Sequence, residues 1–253
     1  MEKYELLTVM KQKKSNQFKK DKKNLIAISK WYKPNKMFHK KIEELVYRSI
    51  KPHFFGQSVL EMGSADGVLT QYLIKHFRQT TCIDASPIYM KKIRKKFPQV
   101  LVEETLFETY KPTKQFDTII MDHVLEHIRH PTNMLRKIKS WLPSKGKLII
   151  IVPNAHSIHR LLGVQMGMLK KPTQLNQKDK KLGHCRVYTP TTLKKIISQA
   201  GGYKILEFSG ILFKPLSNSQ VEKFPKKVVE GFFELGKQFP QHCSELLVVL
   251  THE

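Results

Sequence analysis

The amino-acid sequence predicts a doubly wound α/β domain, a mostly parallel sheet with helices on both faces, and three observations predict it. The first is the stretch from Gln57 to Thr70, Q-S-V-L-E-M-G-S-A-D-G-V-L-T, where an apolar run ending in an acid breaks into a small-residue loop and resumes at helical spacing. The second is that short β-branched runs and helical periods then alternate, the pattern of repeated βα units. The third is that Phe116 to Met121 and Leu148 to Val152 are apolar without alternation, as strands covered on both faces are. No repeat of 20 to 50 residues accompanies them.

Composition narrows the field. At 253 residues the chain suits one sizeable α/β domain with an appendage. Its 40% hydrophobic and 26% charged residues are globular in character, and no apolar run approaches the roughly 20 residues of a membrane helix. The first residues are charged throughout and lack an apolar signal region, so a cytosolic (cytoplasmic) protein with no membrane insertion is expected. Three cysteines without C-x-x-C spacing indicate neither a disulfide framework nor a zinc site, and Cys82, inside an apolar run, reads as a small core residue. The net charge of +24 would attract polyanions. Lysine dominates over arginine and no aromatic-interleaved RNA motif is present, so a solvated surface is the favoured reading and a nucleic-acid partner the less favoured one.

Taken in order, Tyr4 to Met10 open at helical spacing and a lysine run follows to Lys23. Pro34 to Ser49 forms a helix with Met37, Ile42, Leu45, Val46 and Ile50 on its apolar face. After the strand Val59–Met62 and its loop, Val68, Leu69, Tyr72, Leu73 and Ile74 continue as a helix. Thr80 to Asp84 is a second strand, and Ser86-Pro87 caps the helix bearing Met90, Ile93 and Phe97. Strands follow at Val100–Val102, Phe116–Met121 and Leu148–Val152, with a helix from Pro131 between the last two. Asn154 to Lys181 reads as a long loop, functional or mobile. Thr189-Pro190 caps a helix ended by Gly201-Gly202, Tyr203–Phe208 is a sixth strand, Val221–Phe239 an amphipathic helix, and Ser244–Leu250 a final strand.

The glycine loop carries the first chemical signal. Gly63 and Gly67 permit positive φ and let a ligand approach bare peptide. A dinucleotide turn would want G-x-G-x-x-G, but Ala65 stands at the middle glycine, which weakens a pyrophosphate reading. Asp84 falls about 20 residues after the loop, the distance at which a βαβ unit presents a carboxylate to a ribose diol.

Five motifs stand in one order: V-L-E-M-G-S-A-D-G, C-I-D-A-S-P, F-D-T-I-I-M-D-H-V-L-E-H-I, L-P-S-K-G-K-L-I-I-I-V-P-N-A and G-H-C-R-V-Y-T-P-T-T-L-K-K-I-I-S-Q-A-G-G. Together they resemble the class I S-adenosylmethionine-dependent methyltransferases, most closely the branch holding the ubiquinone-biosynthesis O-methyltransferases and bacterial small-molecule methyltransferases. The likeness spans Gln57 to Asn218, with Ala65 where the family often has glycine and Glu61 where it often has aspartate. It implies a Rossmann-like seven-stranded sheet whose last strand enters antiparallel, a basic N-terminal segment (1–50) serving as lid, and a methyltransferase domain (51–253) with a substrate-side insertion around 154–189. It also implies S-adenosylmethionine as cofactor. Glu61, Gly63, Ala65 and Gly67 would hold the methionine end, Asp84 and Ala85 the ribose, and Thr105 and Leu106 the adenine, with Asp122 and His123 near the sulfur.

Methyl transfer from a sulfonium mainly needs donor and acceptor held in line and water kept out, with a base only for a protonated nucleophile. The candidate bases are His184, His123 and His127, the latter pair four residues apart and so on one helical face, although His127 could equally pack its short helix. An acceptor would enter from the side built after the fourth and fifth strands, which places Asn154, His156 and Arg186 about it. No His or acid spacing suggests a metal site. The expected acceptor is a small molecule, an anionic one included, methylated on oxygen or nitrogen. An RNA methyltransferase using the basic surface is the first alternative, a non-enzymatic nucleotide-binding module the second.

Overall fold

The computed structural model describes residues 23–32 and 37–253. Seven strands form one sheet: β1 (Ser58–Met62), β2 (Gln79–Asp84), β3 (Leu101–Glu104), β4 (Thr118–Asp122), β5 (Lys147–Pro153), β6 (Tyr203–Ile211) and β7 (Glu245–His252), in the order β3-β2-β1-β4-β5-β7-β6. Neighbours from β3 to β5 run parallel, and β7 runs antiparallel between β5 and β6. The doubly wound, mostly parallel sheet with an antiparallel last strand is therefore as the sequence implied.

Helical residues 23–31 (α1) and α2 (Met37–Ile50) precede the sheet. The others are α3 (Thr70–Leu73), α4 (Pro87–Lys96), α5 (Pro131–Lys139), α6 (Ile158–Gln165), α7 (Gln177–Leu182), α8 (Pro190–Ala200), α9 (Asn218–Val221) and α10 (Lys226–Gly236). Successive residues of the central strands serve opposite faces. Ile119, Met121, Leu148, Ile150, Leu246 and Val248 pack with Met134, Leu135 and Ile138 of α5 and Leu193 and Ile197 of α8. Ile120, Ile149, Ile151, Leu247 and Val249 pack with Leu45, Val46 and Ile50 of α2 and Val229 and Phe233 of α10. Thus α2 shares a core with the sheet. The lysine run up to Lys22 and the helical opening at Tyr4–Met10 lie outside the described residues.

Three expectations need correction. The helix after the glycine loop is a single turn, because i to i−3 bonds such as Tyr72 N–H to Leu69 O (2.9 Å) and His76 N–H to Leu73 O (2.9 Å) tighten the chain on either side of it. The long segment after β5 is no plain loop. It folds as α6 and α7, the latter closed by an Asn176/Asp179 capping box and by Gly183 at φ 82°. The helix read from Val221 to Phe239 is two, α9 and α10, since Pro225 cannot donate an N–H and disfavours helical geometry in Phe224. No described helix is long and apolar enough to cross a membrane.

Candidate functional site

The chain leaves β1 toward β2 on one side, and the later strand β4 lies on the other. Such a switch point opens a crevice at the carboxyl ends of the strands. A cavity of about 1250 Å³ occupies it, floored by the loops after β1, β2 and β4 and roofed by α1, α2 and α7. That exceeds the roughly 300–1,000 Å³ of a pocket for one small ligand, so there is room for a cofactor and an acceptor together. Two contacts steady the roof. The Tyr89 hydroxyl of α4 donates to Tyr32 O (3.0 Å), and Lys181 Nζ lies 4.4 Å from the Trp31 ring centroid.

At one end, Glu61, Gly63, Ala65, Asp84, Ala85 and Leu106 line the wall. Gly63 has φ 77°, and a Cβ there would come within 2.7 Å of Val124, so the loop approaches the turn after β4 too closely for a side chain. Ala65 takes φ 44°, a left-handed conformation that alanine adopts at a cost of about 1 kcal/mol. Glu61 accepts Thr70 Oγ1–H (2.6 Å) and Cys82 Sγ–H (3.2 Å), both on Oε2, so Oε1 keeps its capacity for a ligand. Burial raises its carboxyl to about 7 against those bonds. Burial likewise raises Asp84 to about 6, although Ser86 N–H donates to Oδ1 (2.8 Å) and fixes the side chain. A half-buried acid at the end of β2 and a bare-backbone loop after β1 suit a ribose diol and an amino-acid moiety, and these residues fit S-adenosylmethionine.

Two predicted contacts do not reach this wall. Gly67 (φ 79°) is the seat of α4 instead, since a Cβ there would meet Ile93 at 2.6 Å and Phe97 at 2.7 Å. Thr105 turns its hydroxyl to Leu106 O (3.2 Å), and the neighbouring Leu106 and Phe107 face the cavity.

The loop after β4 brings acids and imidazoles together. His123, at φ 52°, places Nδ1 3.3 Å from Glu126 Oε1 and Nε2 3.9 Å from both Asp122 Oδ1 and Glu245 Oε1. Burial opposes its charge, but the Glu126 bond and the surrounding carboxylates lift it to about 10. His123 is therefore an imidazolium at neutral pH, which corrects its candidacy as a base. Across the cavity Glu43 of α2 faces Asp122, and both carboxyls are raised, by burial first, with Glu43 well above the usual range. Asp122 and His123 line the cavity as expected.

His184 and His127 both line the cavity, edge to face with centroids 4.7 Å apart. His184 Nδ1 lies 3.4 Å from Asp179 Oδ1. Burial would raise Asp179, but His184, the Asn176 N–H and Arg160 (3.2 Å) outweigh it and hold the carboxylate at about 2. An ionised acid in the first turn of α7 thus stands beside one ring nitrogen of His184, at ion-pair distance but outside hydrogen-bond geometry. Burial lowers His127. Ligand atoms of Glu126, His127 and His184 lie within 4.8 Å of one another, a grouping that the linear spacing did not reveal.

The predicted acceptor residues divide. Asn154 touches the cavity, yet its amide donates to Gln241 O (2.8 Å) and Cys243 O (2.9 Å) and its oxygen accepts His156 N–H (2.9 Å), so it clamps the backbone. His156 does not line the cavity. Arg186 sits outside as well, its guanidinium donating to Ile128 O and to Arg129 O (3.1 Å), where it braces the loop after β4. The part of the cavity wall away from the Gly63 loop is lined instead by His39, Glu43, His159, Lys178, Lys214 and Glu245. Only His39 and Glu43 left a trace in sequence, as polar residues on the stripe that continues through Val46 and Ile50.

A family model described as a methyltransferase domain matches residues 27–207, well over half of the chain. A ubiquinone biosynthesis O-methyltransferase of Aeromonas salmonicida is 24% identical over 178 residues, 65% of this chain and 70% of that one. An (S)-coclaurine N-methyltransferase of Thalictrum flavum is 28% identical over 102 residues, 38% of this chain and 28% of that one. Among solved structures, the N-methyltransferase NodS of Bradyrhizobium japonicum in complex with S-adenosyl-L-homocysteine shares the fold at TM-score 0.55 and 15% identity, covering 88% of this chain and 91% of that one.

Proposed function

The chain belongs to the methyltransferase-domain family, as a class I S-adenosylmethionine-dependent enzyme, and we propose that it methylates an oxygen or nitrogen of a small-molecule acceptor. The observation carrying this reading is that one cavity holds the Gly63 loop and Asp84 at one end and the Asp179–His184 pair on its wall. Bound S-adenosylmethionine supplies an electrophilic methyl group. Glu61 and the Gly63–Ala65 backbone hold the amino-acid end, Asp84 and Ala85 the ribose, and Leu106 with Phe107 the adenine.

His184 takes the acceptor's proton. Asp179, an ionised carboxylate 3.4 Å from Nδ1, stands behind it as an acid stands behind a general base. His123, already protonated, supplies positive charge beside the reacting atoms and holds Glu126 in place. The roof of α1 and α2 excludes water, and in-line positioning does the rest. Relatives named as O- and N-methyltransferases support either acceptor atom.

The test is calorimetry with S-adenosylhomocysteine, followed by transfer of a labelled methyl group to a panel of phenols and amines. Tight binding by the wild type and its loss in Asp84→Ala are expected. No binding by the wild type would return the chain to a non-catalytic role, and label entering bulk RNA would replace the small-molecule reading.

A further inference from the structure

Two cations are buried among the described residues, Arg160 and Lys214. Arg160 is neutralised, with Asp179 at 3.2 Å and the carbonyls of Pro172 and Gln174 around it. Lys214, only 7% exposed, lines the cavity and donates to Asn218 Oδ1, a neutral amide. Among the described residues, no carboxylate stands within 4.0 Å of its Nζ. Glu245 is the acid whose charge it feels, but burial pushes that carboxyl toward its neutral form and His123 lies against it at 3.9 Å. A buried ammonium with one neutral partner is costly and calls for an anion.

The walls beside it are made for one. His159 of α6 is half-buried, Lys214 and Arg160 add to the desolvation that holds it neutral, and its buried Nδ1 has no hydrogen-bond partner among the described residues. His39 of α2 is neutral for the same first reason, with the charges of Lys178, His123 and Lys214 adding to it. A neutral imidazole can donate an N–H to an oxyanion without repelling Lys214. Lys178 brings a second positive charge to the rim.

The backbone is bent to deliver Lys214. Leu212 takes φ 61°, a conformation costly for a bulky residue, and is pinned there by Ser244 N–H to Leu212 O (2.8 Å) and Phe213 N–H to Phe232 O (3.1 Å). Ala65, His123 and Leu212 are the non-glycine residues with positive φ among the described residues, and the first two line the same cavity.

We propose that Lys214, with His159 and His39, forms an anion subsite at the acceptor end of the cavity, and that the methyl acceptor carries a carboxylate or phosphate that seats there. The inference rests on the methyl-transfer reading of the same cavity.

The experiment uses the full chain. Calorimetry first compares S-adenosylhomocysteine affinity in wild type and Lys214→Met, expected to agree within threefold. No binding by the wild type would mean that the cofactor reading, not the subsite, has failed. The S-adenosylhomocysteine complex is then titrated with acetate, inorganic phosphate and neutral acetamide while the His159 and His39 ring signals are followed by NMR. Saturable shifts with acetate or phosphate, absent with acetamide and at least tenfold weaker in Lys214→Met, are expected. The anion that binds more tightly identifies the acidic group. Asn218→Asp provides a second variant that keeps the lysine, and its carboxylate should compete with the anion to a similar extent. Anion binding unchanged in both variants, or absent from the wild type, would overturn the proposal.

Discussion

The two ends of the cavity are built in different ways. The cofactor end comes from three tight connections, after β1, β2 and β4, each positioned by the strand before it. The acceptor end is assembled from α1, α2, α6, α7, the turn after β6 and the first residue of β7, segments scattered from residue 24 to residue 245. A connection two to five residues past a strand is placed by the sheet and changes little. The other end depends on packing between elements far apart in sequence, α2 through the core it shares with the sheet and α6 and α7 through the loops beside them, and these carry the groups that would choose the acceptor.

That contrast can be broken by substitution. The largest expected effect is at the seam: His184→Ala should lower turnover about 10²-fold or more with cofactor affinity almost unchanged, read by steady-state rates beside calorimetry. Asp179→Asn should reproduce part of that loss and shift the pH–rate profile, which a purely structural role would not do. Next, Asp84→Ala should weaken S-adenosylhomocysteine by about 2 kcal/mol or more, roughly 30-fold, through loss of charged hydrogen bonds. Equal loss of acceptor binding in that variant would show that the two ends are not separable.

A smaller effect lies in the pH dependence of stability. His123 titrates near 6.5 when unfolded and near 10 in the fold, where burial is outweighed by Glu126, Asp122 and Glu245. A raised pKa contributes stability fully present below about 6.5 and lost as pH climbs toward 10. Thermal melting from pH 6.5 to 10 should therefore fall more steeply in wild type than in His123→Asn, a residue that tolerates positive φ. Parallel slopes would mean the imidazolium is not held as described. The smallest effect is Ala65→Gly. It should relieve φ 44° at an entropic cost of similar size, so that stability changes by less than about 1 kcal/mol and cofactor affinity stays within about threefold.

What the sequence disclosed follows the same division. Glu61, Gly63, Asp84 and Asp122 were legible because each ends a strand or opens a turn, and strand order fixes where such residues gather. His184 was legible as a polar residue before a capped helix, but its partner Asp179 was hidden in a lysine-rich stretch whose capping box went unread. Gly67 and Thr105 were assigned by motif position, while packing against α4 and a local hydroxyl bond account for them in the fold. Arg186 and His156 neighbour the right residues along the chain, yet Arg186 is spent on carbonyls and His156 lies off the wall. Lys214 and Glu245 gave no local sign, because their meeting depends on β6 and β7 pairing over a long separation.

Asn154 and Tyr188 form a parallel bridge, tightened by Ala155 N–H to Tyr188 O at 2.7 Å. The segment carrying α6 and α7 consequently leaves the sheet and rejoins it at one point. Residues 155–187 are also tied to the loops beside them, by Cys185 N–H to Glu126 O (2.9 Å), by the Arg186 guanidinium on Ile128 O and Arg129 O, and by His242 Nδ1 at 3.1 Å from His156 O. The cavity wall therefore draws His159, Lys178 and His184 from this segment and His39, Lys214 and Glu245 from outside it, and grafting the segment alone from a relative is expected to move only part of an acceptor preference.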